Sequence, residues 1–141
     1  MQQTISQPSM LTTTSMAHDR YILVVDDEPS FCTVLSEILR SFGYFVRQAH
    51  DAHHAIELLQ KTTPDLILTD VMMPGMDGLA FIRQIRSDPT RSSIPTIVIS
   101  AKAQAEDIRA SKEAGADACL VKPFSARELR DVVHKYLNSK H

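Results

Sequence analysis

The sequence predicts an α/β fold built on a five-stranded parallel sheet with five helices. Three observations carry this. From Tyr21 onward, short apolar runs alternate with longer amphipathic segments. The runs are continuously apolar rather than alternating, as strands buried on both faces require. The segments between them repeat apolar residues at three- and four-residue steps, which is the spacing of one helix face. Right-handed crossovers between parallel strands then distribute the helices over both faces of the sheet.

The runs are Tyr21-Ile22-Leu23-Val24-Val25, Phe45-Val46, Leu66-Ile67-Leu68, Thr96-Ile97-Val98-Ile99 and Ala118-Cys119-Leu120-Val121. The second is the shortest and is followed by polar residues, which predicts an edge strand. The first helix is marked by Phe31, Val34, Leu35, Ile38, Leu39 and Phe42 on one predicted face. Pro29 suits its first turn, where a missing N–H costs nothing, and Gly43 stands where a left-handed residue would end it. The last helix repeats the pattern through Leu129, Val132, Val133, Tyr136 and Leu137, behind a Ser125–Glu128 capping box. The segment Glu106 to Ala114 has Ile108 as its one large apolar anchor, so it is expected to pack weakly. Pro74-Gly75 and Asp77-Gly78 supply a turn and a helix cap.

The 141 residues suit one domain with one core. The composition is 43% hydrophobic and 23% charged with a net charge of -2, which offers neither a nucleic-acid-binding stripe nor a polybasic membrane anchor. No apolar run approaches the roughly 20 residues that span a bilayer. Residues 1–19 are rich in Gln, Ser and Thr, lack the features of a secretory signal, and read as a disordered tail in which Met16 offers an alternative start. The expected organisation is therefore a tail over 1–19, a domain over 20–138 and a short end over 139–141. Cys32 and Cys119 both fall in apolar stretches and read as small buried hydrophobes, not a disulfide, in a cytoplasmic protein.

In a parallel sheet of this kind, ligands bind beyond the carboxyl ends of the strands. The first run leads into Asp26-Asp27, the third into Asp70, the fourth into Ser100 and the fifth into Lys122-Pro123. Any one of these is unremarkable as a solvated loop start. Four strands delivering polar groups to one edge is harder to assign to chance.

These blocks resemble the response-regulator receiver family (CheY-like domains of two-component signalling). The matching segments are Val24-Val25-Asp26-Asp27-Glu28-Pro29, Asp65 through Gly78, Ser100-Ala101 and Lys122-Pro123-Phe124, in family order over roughly Tyr21 to Leu137. The resemblance implies a flavodoxin-like doubly wound sheet of order 2-1-3-4-5, an order taken from the family and not from periodicity. It also implies that Asp70 is the phosphoacceptor, with Lys122 and Ser100 assisting. Asp26, Asp27, Asp70 and the backbone carbonyl of Met72 would hold Mg2+, with Mn2+ as an alternative. Ala101 would leave room for the loop that follows, and the Lys122–Pro123 bond would be cis.

The chemistry agrees with the residue types. A carboxylate can attack phosphorus to form an acyl phosphate. Asp26 and Asp27 beside Asp70 would repel the incoming group unless a hard divalent cation lay between them, and oxygen ligands suit magnesium. Three carboxylates, one lysine and one divalent cation sum to about zero charge. The transfer itself depends on positioning and charge stabilisation.

The match departs from the family at Cys119. Receivers commonly carry Tyr or Phe three residues before the lysine, and its ring turns inward on activation. A thiol is too small to do this, so a smaller or differently transmitted change is expected on the face formed by the last two helices and the fifth strand. His50, His53 and His54 lie close together, but no Cys or carboxylate completes a ligand set, so they read as a solvated helix start. Met72, Met73 and Met76 read as loop and pocket filling.

The expected function is that of a stand-alone receiver. A histidine kinase or a histidine phosphotransfer protein supplies the phosphoryl group, and the receiver then binds a downstream protein target, as a monomer or weak dimer. No output domain fits after Leu137, so no nucleic acid or membrane is expected as a partner. Two alternatives stand beside it: a pseudo-receiver that binds without phosphorylation, and an aspartyl-phosphate hydrolase. The intact Asp26, Asp27, Asp70, Ser100 and Lys122 set argues against the first. Short loops and the absence of an acid-base carboxylate just after Asp70 argue against the second, so no turnover of small substrates is expected.

Overall fold

The structure, a computed structural model, describes residues 21–138 apart from Pro74 and Ala103. The tail expected over 1–19, the end over 139–141 and the Pro74 half of the expected turn therefore lie outside the described residues. The elements are β1 (Tyr21–Val25), α1 (Pro29–Ser41), β2 (Phe45–Ala49), α2 (Ala52–Lys61), β3 (Leu66–Asp70), α3 (Gly78–Ser87), β4 (Thr96–Ser100), α4 (Ala105–Ala114), β5 (Ala118–Val121) and α5 (Ala126–Asn138). The five strands form one sheet of order β2-β1-β3-β4-β5 in which every neighbouring pair is parallel. The weak second run is an edge strand, as expected.

The sheet separates two apolar layers. Ile22, Val24, Leu66, Leu68, Ile97 and Ile99 face α1 and α5, where they meet Leu35, Leu39, Leu129 and Val133. Leu23, Val25 and Ile67 face the other way, toward Ala55 and Leu59 of α2 and Phe81 and Ile85 of α3. A third cluster sets Val98 against Ile82 of α3 and Ala114 of α4. Each fully buried Leu, Ile or Phe contributes about 1.5–3 kcal/mol. Burial on both faces of β1, β3 and β4 therefore fixes the register that places their last residues side by side.

Local signals act where the sequence placed them. Pro29 opens α1, and Gly43 takes a φ of 97° with its N–H donating to Arg40 O just past the end. Asp77 caps α3 by accepting from Ala80 N–H, and Ser125 and Glu128 form the reciprocal capping box of α5. Among the described residues no helix is long and apolar enough to cross a membrane.

Three expectations need correction. The buried face of α1 runs through Cys32, Leu35, Ser36 and Leu39, while Val34 is 54% exposed and Phe31 and Ile38 only partly covered. The apolar stripe is wider than the core needs, and its outer edge is left toward solvent. In α4 the buried residues are Ser111 and Ala114, not Ile108. The helix presents its C-terminal half to the sheet through these small side chains. Cys119 is partly buried, not fully so, and both thiols are free.

Candidate functional site

Asp26 follows the last residue of β1, and its N–H donates to Ala49 O at the end of β2 (3.0 Å). Asp70 ends β3, the strand that pairs directly with β1, one residue past the Val25–Thr69 register pair. These positions bring Asp26, Asp27 and Asp70 together with one carboxylate oxygen from each within 4.8 Å of the others. Asp26 is 2% exposed, Asp70 half-buried and Asp27 exposed. The cluster is thus open to solvent on one side only.

Burial pushes the Asp26 carboxyl above its ordinary range, and the charges of Asp70 and Asp27 add to that; the Glu28 N–H and Lys122 act against it. Burial likewise raises Asp70, opposed by Lys122 and by the backbone N–H groups of Met72 and Val71, with Asp27 reinforcing the rise. Val71 N–H donates to Asp70 Oδ1 at 2.8 Å, and Glu28 N–H to Asp26 Oδ1 at 2.9 Å. Both carboxylates therefore have one oxygen oriented by backbone, while Lys122 compensates only part of the repulsion within the cluster. A divalent cation bound by oxygen ligands fits this donor set, since it removes the repulsion and uses the remaining lone pairs.

Lys122 arrives from the end of β5, which Lys122 N–H ties to Ser100 O at 2.8 Å. Its Nζ lies 3.7 Å from Asp26 Oδ2 and 4.0 Å above the centre of the Phe31 ring. The Lys122–Pro123 bond is cis. Phe31 in turn meets Phe124 edge to face, with centroids 6.3 Å apart. Phe31 is the residue whose place at the site the sequence reading missed, having assigned it to the helix core. The signal was an aromatic in the first turn of α1 together with a second one directly after Lys122-Pro123.

Ser100 ends β4 and is buried, paired in register with Val121, and its Oγ accepts from Lys102 N–H at 3.0 Å. Met72 is 59% exposed, with its backbone N–H toward Asp70. Ala101 and Pro123 lie at the mouth of an apolar groove with a cavity volume of about 490 Å3, lined also by Phe31, Val34, Ile38 and Phe124. Cys119 stands apart from the acidic cluster, against the α3–α4 side of the sheet with Val98 and Ala114. His50, His53 and His54 are exposed around the start of α2.

Gly78 holds the loop after Asp70 close. Its N–H donates to Val71 O at 2.9 Å, and a Cβ there would run into Asp70 O and lie 2.8 Å from Val71 Cα. Only glycine lets α3 begin this near the strand end.

The family model for the response regulator receiver domain matches residues 22–134. The chain belongs to that family. Among curated relatives, this receiver is 36% identical over 119 residues to the sporulation initiation phosphotransferase F of Bacillus subtilis strain 168, covering 84% of this chain and 94% of the relative. It is 38% identical over 108 residues to the DNA-binding response regulator MtrA of Mycolicibacterium smegmatis, covering 77% of this chain but only 46% of that protein. The chain thus spans under half the length of its DNA-binding relative. Among solved structures, the receiver domain of the sensor histidine kinase PA1611 from Pseudomonas aeruginosa PAO1 superposes with a TM-score of 0.79 at 32% identity, covering 85% of this chain and 98% of that one. That domain holds a magnesium ion in its active site cleft. The flavodoxin-like arrangement and strand order expected from the sequence are those of the receiver family.

Proposed function

We propose that this receiver accepts a phosphoryl group on Asp70 from a phosphohistidine of a histidine kinase or phosphotransfer protein, and so switches a protein-binding surface. The observation that carries this is the joint arrival of Asp26, Asp27, Asp70 and Lys122 at one sheet edge, with Ser100 on the neighbouring strand end. In the transfer, a carboxylate oxygen of Asp70 forms a bond to phosphorus as the donor's P–N bond breaks, and the imidazole nitrogen keeps the electron pair. Mg2+, or Mn2+ in its place, would be held by Asp26, Asp27, Asp70 and the Met72 carbonyl, and would supply the charge neutralisation the cluster lacks. Lys122 adds a positive charge from the Phe31 side, and the Ser100 hydroxyl is available to donate to a phosphoryl oxygen. Asp70 is an acceptor that is loaded and emptied, so no small substrate is turned over.

The groove between α1 and the Pro123–Phe124 segment supports a protein as the phosphodonor. It runs apolar side chains up to Lys122, so a helix seated there would present its side chains beside the acidic cluster. The near full-length likeness to a sporulation phosphotransferase supports either a terminal switch or a relay intermediate acting through protein partners in the cytoplasm, as a monomer or weak dimer. Binding of nucleic acid or membrane by these residues has no support in their charge.

Incubation with a small phosphodonor and Mg2+ tests the proposal by intact mass. A gain of one phosphoryl group is expected in the wild type and none in Asp70→Asn. No gain in the wild type, or a gain that survives the substitution, removes the reading.

A further inference from the structure

We propose that Phe31 is a positioning residue for phosphoryl transfer: the face of its ring holds the Lys122 ammonium beside the acidic cluster. The role rests on the phosphoacceptor reading and deepens it with a side chain outside the acidic set.

Lys122 carries its charge on a long flexible stem, which left alone would favour a hydrated position in solvent. Here the side chain is only 24% exposed. Its Nζ stands 3.7 Å from Asp26 Oδ2, an ion-pair separation longer than the about 2.8 Å of a charge-assisted hydrogen bond. The same Nζ is 4.0 Å from the centre of the Phe31 ring, well inside the roughly 6 Å over which a ring face attracts a cation. The carboxylate pulls the ammonium inward, and the ring sets where it rests.

Two contacts fix the ring in turn. Phe31 is the third residue of α1, so its backbone is held by the helix, and the first turn of that helix offers a cation no acidic side chain. Its ring meets Phe124 edge to face, with the planes at 86°. Phe124 follows Lys122 by two residues, so the segment that delivers the ammonium also braces the ring that receives it.

A lysine held here has two opposed effects. Its charge acts on both Asp26 and Asp70, which favours the arrival of an anionic phosphoryl group. However, the Glu28 N–H bond to Asp26 Oδ1 leaves Oδ2 as the oxygen open to a divalent cation, and Oδ2 is the one the ammonium faces. Release of the lysine to solvent would therefore slow transfer and tighten cation binding at once. General damage to the site would weaken both.

Two measurements on the whole chain test this: calorimetric titration with Mg2+ alone, and the rate of mass gain with acetyl phosphate at saturating Mg2+. Phe31→Leu keeps an apolar side chain in the groove but has no ring face. A cation held on a ring gains roughly a 2- to 30-fold preference for that position, so transfer is expected to slow about tenfold. Mg2+ is expected to bind roughly threefold more tightly, through loss of a partly screened positive charge. Phe31→Tyr retains the face and should stay within about twofold of the wild type in both measurements. In a Lys122→Met background, Phe31→Leu should leave the Mg2+ affinity where it is. Unchanged or weaker Mg2+ binding in Phe31→Leu, an unchanged rate, a Phe31→Tyr variant that behaves like Phe31→Leu, or a shift that persists without the lysine overturns the proposal. A wild type that gains no phosphoryl group instead overturns the phosphoacceptor reading and the transfer role with it, while the Mg2+ titrations, run without donor, still decide whether the ring holds the lysine.

Discussion

Replacing the phosphoacceptor by its neutral isostere, Asp70→Asn, is expected to stabilise the protein when no divalent cation is present. The new amide oxygen can still accept from Val71 N–H, so the local backbone keeps its bond while the charge is lost. Carboxylate oxygens of Asp26, Asp27 and Asp70 lie within 4.8 Å of one another. At that separation two unit charges repel by about 1 kcal/mol in bulk water and about 3 kcal/mol at an effective dielectric constant near 20. Lys122 offsets part of this, because it attracts Asp70 as well as Asp26, and the exposure of Asp27 places its share near the lower figure. A net gain of about 1 kcal/mol near pH 7 follows from these opposing contributions.

The pH dependence gives the sign. The folded carboxyl of Asp70 is raised above its ordinary value of 3.8, so its protonated form is favoured by folding. Its contribution to stability is fully present below the unfolded pKa and is lost as pH rises through the folded one. The advantage of Asn should therefore be absent near pH 3, grow across the window above 3.8, and level off once both acids are ionised. Urea unfolding at several pH values, with and without Mg2+, measures this. Saturating Mg2+ should stabilise the wild type by about 2.7 kcal/mol at 100-fold over its dissociation constant, and the variant by less. Destabilisation of the cation-free variant at pH 7, or an advantage as large at pH 3 as at pH 7, would refute the electrostatic account.

Native alkylation should modify Cys119 well before Cys32, as peptide mapping would show: Cys32 is fully buried and its thiol is pushed up to about 11, first by burial and then by the Asp26 charge. Gly78→Ala should cost about 2 kcal/mol or more in urea unfolding, because the added methyl meets backbone at Asp70 and Val71, which cannot swing aside as a side chain could. Val34→Glu should leave stability within about 0.5 kcal/mol, since the side chain is 54% exposed, and should slow phosphoryl transfer from a protein donor while sparing transfer from a small phosphodonor.

The sheet was legible because strands buried on both faces must be continuously apolar, and four of the five runs were. Their ends named the site for the same reason: a carboxylate just past Leu66-Ile67-Leu68-Thr69 has nowhere to lie but the sheet's edge. The faces of α1 and α4 were less legible. Periodicity locates an apolar stripe but not its limits, so Phe31, Val34 and Ile38 read as core although the groove leaves them partly open. Ile108 drew attention by size, yet close approach of α4 to the sheet depends on the small Ser111 and Ala114. The role of Phe31 under the Lys122 ammonium is a contact across 91 positions of sequence, and no local pattern announces such a pair.

The two ends of the sheet are built on opposite electrostatic terms. At the Arg86 end each nitrogen of the guanidinium fork has an acceptor and the Asp117 carboxylate faces both that group and a backbone N–H, so displacement there would break several charge-assisted bonds at once. At the Asp70 end three carboxylates share one lysine, and the balance is incomplete until a cation and a phosphoryl group change the local charge.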